Sequence, residues 1–260
     1  MHRTVTFSMI GAGKAARALA RAIHDCPRAR LARVMSPSGE SAARLAAEFG
    51  VPLHGSRFEE AVRDPAVDAV VLATPNRVHC EQALAAFEAA KHVLCEKPMC
   101  NTEAEAQAML GAAERAGRRL MIGFTERFNQ PCLDAHARIL RGEIGRPVML
   151  LARRCHPKTL VRDRAWINDD ETGGVLHYAG AHNIDLACWF LGDRTPERVY
   201  AEMGRLVHPA SQRFTDSAVA TLRFPDGGIA ALYESFGYPS PYPHGVDRSI
   251  EILGTEGRIL

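Results

Sequence analysis

Over its first 124 residues the chain alternates short apolar strands with amphipathic helices, and no other feature restricts its fold as much. Residues 5–10, 31–35, 67–73, 92–95 and 119–124 read as strands, and residues 14–25, 38–49, 58–63, 78–90 and 102–116 carry helical spacing. Gly50 stops the second helix. Strands joined by helices of this length must pair in parallel, and wholly apolar strands need cover on both faces. The pattern predicts an α/β, doubly wound parallel sheet over residues 1–124.

Beyond residue 124 the pattern changes. Helices are predicted at 129–141 and 181–191, and strands at 147–154, 197–206, 218–224 and 228–236. Pro225, Asp226, Gly227 and Gly228 read as the turn of an antiparallel hairpin. Residues 125–260 are therefore expected to form an α+β domain on an open, mostly antiparallel sheet. With 47% hydrophobic residues, 260 residues can bury two ordinary cores. The 32 basic and 30 acidic side chains form no long run of one sign, so nothing predicts nucleic acid or an anionic membrane as a partner. No apolar run approaches the roughly 18 residues of a membrane span. The seven cysteines, odd in number and without a Cys-x-x-Cys pair, predict reduced thiols in a cytoplasmic protein. Residues 238–244 alternate proline with other residues and read as a rigid surface connection.

The turn after the first strand carries a cofactor signal. Gly11-Ala12-Gly13-Lys14-Ala15-Ala16 follows a strand and opens a helix, so Gly11 can make the tight turn and Gly13 can admit a pyrophosphate at the helix N-terminus. Ala16 takes the place of the third glycine, which serves helix–strand packing. A carboxylate about 20 residues on would bond the ribose 2′-hydroxyl of NAD. Here the second strand ends in Met35-Ser36-Pro37-Ser38, with no acid before Glu40. Ser36 and Ser38, with Arg33 or Arg44 near, would suit a 2′-phosphate, so NAD or NADP is expected with a lean to NADP.

Glu96-Lys97-Pro98 closes the strand at 92–95. In an open parallel sheet the ligand crevice lies beyond the carboxyl ends of the strands, so Lys97 either faces a bound ligand or merely ends a strand and pairs with Glu96. His182 and Asp185 are three apart on a predicted helix and share a face, where Asp185 could orient the imidazole or stabilise its charged form. His177 adds a third candidate metal ligand nearby. Its spacing is not that of a His-Glu-x-x-His helix and no thiolate cluster accompanies it, so no metal is expected.

Taken in order, Gly11-x-Gly13, Thr74-Pro75-Asn76-x-x-His79, Cys95-Glu96-Lys97-Pro98, Gly123-Phe124-x-x-Arg127-Phe128, Trp166 ahead of Gly173-Gly174, and Gly180-x-His182-x-x-Asp185 resemble the Gfo/Idh/MocA family, the group of glucose-fructose oxidoreductase and inositol dehydrogenase. The resemblance spans nearly the whole chain. It implies an N-terminal Rossmann domain, a C-terminal sheet domain that binds substrate and mediates homo-oligomers, and NAD(P)-dependent redox chemistry on small-molecule sugars, polyols or related carbonyl compounds. It implies cofactor contacts from Gly11, Gly13, Lys14, Ala15, Ser36, Ser38, Thr74, Pro75, Asn76, His79, Glu96 and Lys97. It sets Lys97 and His182 at the substrate, with Arg127, Trp166, Tyr178 and Asn183 as further contacts.

A lysine acting as a base near neutrality would need a strongly destabilised ammonium, whereas one that polarises the reacting oxygen needs no change. The expected division of labour is Lys97 on the oxygen and His182, with Asp185, exchanging the proton. Two departures bear on this. The family usually has Asp four residues before the histidine, where this chain has Tyr178, and a phenol donates a hydrogen bond but is no anion near neutrality. The chain also stops at Leu260, where family members run through further strands, so an open sheet edge is expected. Besides the oxidoreductase, two other functions fit the same residues. One is an NAD-dependent glycosidase that re-reduces its cofactor within each turnover; the other is a non-catalytic dinucleotide sensor or assembly protein.

Overall fold

The computed structural model describes residues 3–162, 173–208, 213–239 and 245–260. Its internal contacts divide the chain into Met1–Gly123 and Phe124–Leu260. The first unit runs β1 (Val5–Ile10), α1 (Lys14–Asp25), β2 (Ala29–Met35), α2 (Gly39–Phe49), β3 (Leu53–Gly55), α3 (Phe58–Arg63), β4 (Ala69–Leu72), α4 (His79–Glu88), β5 (His92–Cys95), α5 (Glu103–Ala116) and β6 (Leu120–Ile122). Its sheet has the order β3-β2-β1-β4-β5-β6, and every neighbouring pair is parallel. This is the Rossmann order, whose direction of winding reverses between β1 and β4.

All four residues of β4 are buried, and Val70, Val71 and Leu72 are 0% exposed. Full burial of such side chains contributes about 1.5–3 kcal/mol each, which makes β4 the anchor of the sheet. The helices carry their own boundary signals. Thr102 and Glu105 form a reciprocal capping box at the start of α5, and Ser38 caps α2. The three-residue β3 was not foreseen, because a half-exposed edge strand has no apolar run to reveal it. A single 3-10 turn, Asn76–Val78, precedes α4.

The second unit runs α6 (Gln130–Leu140), β7 (Pro147–Pro157), α7 (Thr159–Arg162), α8 (Gly174–Tyr178), α9 (Gly180–Phe190), β8 (Arg198–Gly204), β9 (Ser217–Arg223), β10 (Ile229–Tyr238), β11 (Asp247–Gly254) and β12 (Arg258–Ile259). Its sheet has the order β12-β11-β7-β10-β9-β8. Only β7 and β10 pair in parallel, which the long chain between them permits; the other pairs are antiparallel. One face buries Leu150, Leu222, Leu232 and Ile252 against Leu186 and Phe190 of α9 and Cys132 and Ala135 of α6. The alternate residues face the other way and stay open: Leu151 is 45% exposed, Val219 57%, Tyr233 41% and Leu253 42%. Among the described residues no helix is long and apolar enough to cross a membrane. All seven cysteines are free thiols.

Candidate active site

The Rossmann order brings the ends of β1 and β4 together at the switch point, with β5 next to them. Gly11 follows β1 with φ +106°, and a Cβ there would lie 2.3 Å from the carbonyl oxygen of Ala73. No residue with a side chain fits that approach. At Gly13 an added Cβ would meet nothing within 4 Å, so the backbone is open to a ligand. Gly13 also starts the 12-residue α1 with no side-chain cap and no acid in the first turn. The first-turn amides, including those of the exposed Lys14 and Ala15, are left for an anion, which fits the pyrophosphate of a dinucleotide.

Beside this turn lies a surface hollow of about 480 Å³ lined by Gly13, Lys14, Arg17, Ser41, Arg44 and Glu48 among others. The Ser41 hydroxyl donates to Ser36 Oγ at 2.9 Å, and Ser38 is spent on the α2 cap. Arg44 pairs with Glu40, and Arg17 with Glu48. Arg33, expected near the same spot, is instead held by Asp64 at 3.1 Å and Glu60 at 3.8 Å. It has no role in the hollow.

Two of the expected cofactor contacts make internal ties. His79 is 1% exposed, and its ring nitrogens lie 2.9 Å from the carbonyl oxygen of Thr74 and 3.0 Å from that of Pro98. It stitches the loop after β4 to the loop after β5, and burial lowers its pKa. Asn76 is 4% exposed and donates to Asn101 at 2.6 Å. Both side chains are thus held between the loops that follow β4 and β5. Thr74 and Pro75 remain half-buried at the wall, the Thr74 hydroxyl donating to Gln82 at 2.7 Å.

The end of β5 is held on both sides. The Glu96 amide donates to the Leu72 carbonyl at 2.8 Å, and the Gly123 amide donates to the Cys95 carbonyl at 2.7 Å. The Lys97 amide donates to its neighbour's carboxylate, Glu96 Oε2, at 3.2 Å. Burial raises the Glu96 pKa, with Lys97 pulling the other way. Lys97 itself is half-buried on this fixed strand end.

In the second unit, Gly174 has φ +72° and packs so closely that a Cβ would lie 2.1 Å from Thr215 Oγ1, while the Val175 amide donates to the Thr215 carbonyl at 2.8 Å. This fixes the start of α8 and leads directly into α9. His182, 9% exposed, lies in the first turn of α9 with its ring edge-on to Phe124 at 6.5 Å. Tyr178 is half-buried, its ring 6.0 Å from Phe236. Asp185, expected to orient His182 or stabilise its charged form, gives both of its oxygens to Arg127, accepting from Nε and Nη2, each at 2.8 Å. The Arg127 guanidinium also lies 5.3 Å over the Trp189 ring, so this ion pair anchors the segment after β6 to α9. Asn183, expected at the substrate, is 1% exposed and donates to Glu234 Oε1 at 2.7 Å. Its amide faces the interior. Trp166 lies outside the described residues.

Glu234 was missed at the sequence level, although a lone acid in the apolar run 229–236 is a signal. It is 0% exposed, and burial pushes its carboxyl up to about 8, against the pull of Asn183 and Arg154. Among the described residues no group of three or more His, Cys, Asp or Glu side chains could hold a metal ion.

A Rossmann sheet with a ligand-ready glycine turn, followed by a mixed open-sheet domain, defines a two-domain dinucleotide-binding protein. Residues 5–124 match the oxidoreductase family with NAD-binding Rossmann fold, and residues 132–260 match the GFO/IDH/MocA C-terminal domain. The chain belongs to the Gfo/Idh/MocA family of oxidoreductases. It is 33% identical to 1,5-anhydro-D-fructose reductase of Ensifer adhaerens over 87% of this chain and 66% of that protein. It is 29% identical to scyllo-inositol 2-dehydrogenase (NAD(+)) of Bacillus subtilis over 92% of this chain and 68% of that one. The WlbA dehydrogenase of Bordetella pertussis, solved with NADH and UDP-GlcNAcA, superposes with a TM-score of 0.87 at 27% identity, over 98% of this chain and 77% of that structure. The chain thus spans about two thirds of the length of the two relatives compared by sequence.

Proposed function

We propose that the protein is an NAD(P)-dependent oxidoreductase acting on a CH–OH group of a sugar, polyol or related small molecule, in the cytoplasm. The observation that carries this is the placement, at the carboxyl ends of strands of one sheet, of the open Gly11–Gly13 turn and a lysine on a strand end held from both sides. A bound nicotinamide dinucleotide supplies the hydride acceptor or donor. Gly11, Gly13, Lys14 and Ala15 seat its pyrophosphate, and Thr74, Pro75 and Glu96 line its path. Lys97 donates a hydrogen bond to the reacting oxygen and favours its developing negative charge. His182 takes the hydroxyl proton as the alcohol becomes a carbonyl and returns it in the reverse direction. Tyr178 supplies a hydrogen-bond donor to a second hydroxyl in place of the family's carboxylate. Oxidation of a polyol with one reduced nicotinamide formed per carbonyl is the expected stoichiometry. Release of a sugar with no net change in cofactor would replace this reading by the glycosidase one.

For the cofactor we propose a preference for NADP. The hollow beside Gly13 has Lys14, Arg17 and Arg44 around Ser41, the two arginines already paired with Glu48 and Glu40 and the lysine uncommitted to either, and β2 itself ends without a carboxylate. A charge-assisted contact of this kind contributes about 1.5–3 kcal/mol, so KM for NADPH is expected about ten-fold or more below that for NADH. The variant Arg44→Ala should narrow that gap. An equal or lower KM for NADH in the unaltered protein contradicts the preference.

We also propose self-association through the open sheet face. Leu151, Val219, Tyr233 and Leu253 expose apolar side chains on one face of neighbouring strands, with Tyr233 directly opposite Val219, the kind of surface that marks an interface. Sedimentation of the protein and of Val219→Arg is expected to show an oligomer that the arginine dissociates. A monomeric unaltered protein at micromolar concentration rules this out.

A further inference from the structure

A carboxylic acid is buried directly beneath the helix turn that carries His182. Glu234 is the only acid on β10, and apolar residues occupy most of that strand. Its Oε1 accepts from Asn183 at 2.7 Å, while Oε2 is buried with no hydrogen-bond partner among the described residues. Gly180, which opens α9, lies next to its stem: a Cβ there would make ordinary contact with Glu234 Cγ and Cδ, at 3.4 and 3.5 Å, and would crowd Leu176 Cδ1 at 2.9 Å. The sheet neighbours of Glu234 are Arg154 on β7 and Ala218 on β9. Arg154 sends its Nη2 to Glu126 at 2.9 Å. Glu234 is thus enclosed by Asn183 and Gly180 from α9 and by Arg154 from the sheet.

An acid in such a place costs stability, since a buried polar group with an unmet hydrogen-bonding atom is less favourable than a well-packed leucine. Packing alone does not explain it. What its carboxyl holds is the first turn of α9: Asn183 is bonded to its oxygen, Gly180 lies beside its stem, and His182 lies between those two in sequence.

We propose that Glu234 is a positioning residue, whose buried carboxyl, bonded to Asn183 and covered by Gly180, fixes the first turn of α9 and so the place from which His182 is presented. This rests on the reading of His182 as the proton carrier. The raised carboxyl keeps Glu234 neutral near pH 7, so an amide of the same shape should replace it.

The test compares Glu234→Gln and Glu234→Leu in the full chain, by kcat, cofactor KM, thermal midpoint and the NMR titration of the His182 imidazole without substrate. Glu234→Gln should match the unaltered protein in kcat and in the His182 resonances. Glu234→Leu should lose about 10- to 100-fold in kcat with cofactor KM unchanged, and should shift the His182 resonances, while its thermal midpoint moves little, since losing the unmet carboxyl oxygen offsets leaving Asn183 Nδ2 unpaired. If the leucine variant does not fold, Asn183→Ala cuts the same hydrogen bond from the other side and should shift those resonances likewise. Unmoved His182 resonances in the folded variants overturn the proposal, and so does a glutamine variant as impaired as the leucine one. Full turnover in His182→Asn, with the resonances still shifted in Glu234→Leu, removes the proton-carrier reading while leaving the positioning role standing.

Discussion

Lys97→Met is expected to lower kcat by about 10²–10⁴-fold while leaving the affinity for the dinucleotide within a few-fold of the unaltered protein, a loss of about 3–5 kcal/mol from the transition state. Methionine keeps the length and the apolar stem of lysine and removes the charge. The backbone of this segment is fixed by bonds that do not involve the side chain, from the Glu96 amide to Leu72 and from the Gly123 amide to Cys95. The pyrophosphate turn at Gly11–Gly13 belongs to a different loop and keeps its open amides. Chemistry and cofactor binding should therefore separate. Steady-state kinetics alongside fluorescence titration of the reduced cofactor checks this. A variant that loses both together would make Lys97 a structural or cofactor-binding residue.

His182→Asn is expected to cost a comparable factor, but with a different signature. Asparagine keeps a polar side chain of similar reach and cannot exchange a proton. The unaltered protein should show a pH dependence of kcat that the variant loses. Lys97→Met, by contrast, should keep the shape of the profile at a lower level. Proton exchange by another group would leave the profile of His182→Asn unchanged. Asp185→Asn should disturb kcat less than either, because both of its carboxylate oxygens serve Arg127.

Much of this architecture was legible in the residues. The apolar strands of the first unit and the glycine turn are written in local sequence, because a parallel sheet buries its strands on both faces and a strand-to-helix turn against Ala73 admits only Gly11. The strands β11 and β12 were missed: the first begins with the polar run Asp247, Arg248, Ser249, and the second has two residues. They form through pairing with β7 and with each other, which no local pattern announces. The site followed the same division. Strand ends and helix starts placed Lys97 and His182 in the sequence, but the partners of polar side chains are set by tertiary contacts. So the sequence did not reveal that His79 ties two loops, that Asn76 bonds Asn101, that Asp185 pairs with Arg127, or that Asn183 bonds a carboxyl buried on β10. Motif order identifies which segments meet a ligand; it does not say which side chain in a segment faces it.

The claim at the centre is that a nicotinamide dinucleotide and a hydroxylated small molecule react on this chain. The most direct measurement is the absorbance of reduced nicotinamide with NAD and NADP against a panel of polyols, sugars and keto-sugars, run in both directions beside Lys97→Met. Turnover of at least one compound, one reduced nicotinamide per carbonyl formed and largely lost in the variant, is the predicted result. Tight cofactor binding with no turnover of any compound in either direction would contradict it and leave a dinucleotide-binding sensor.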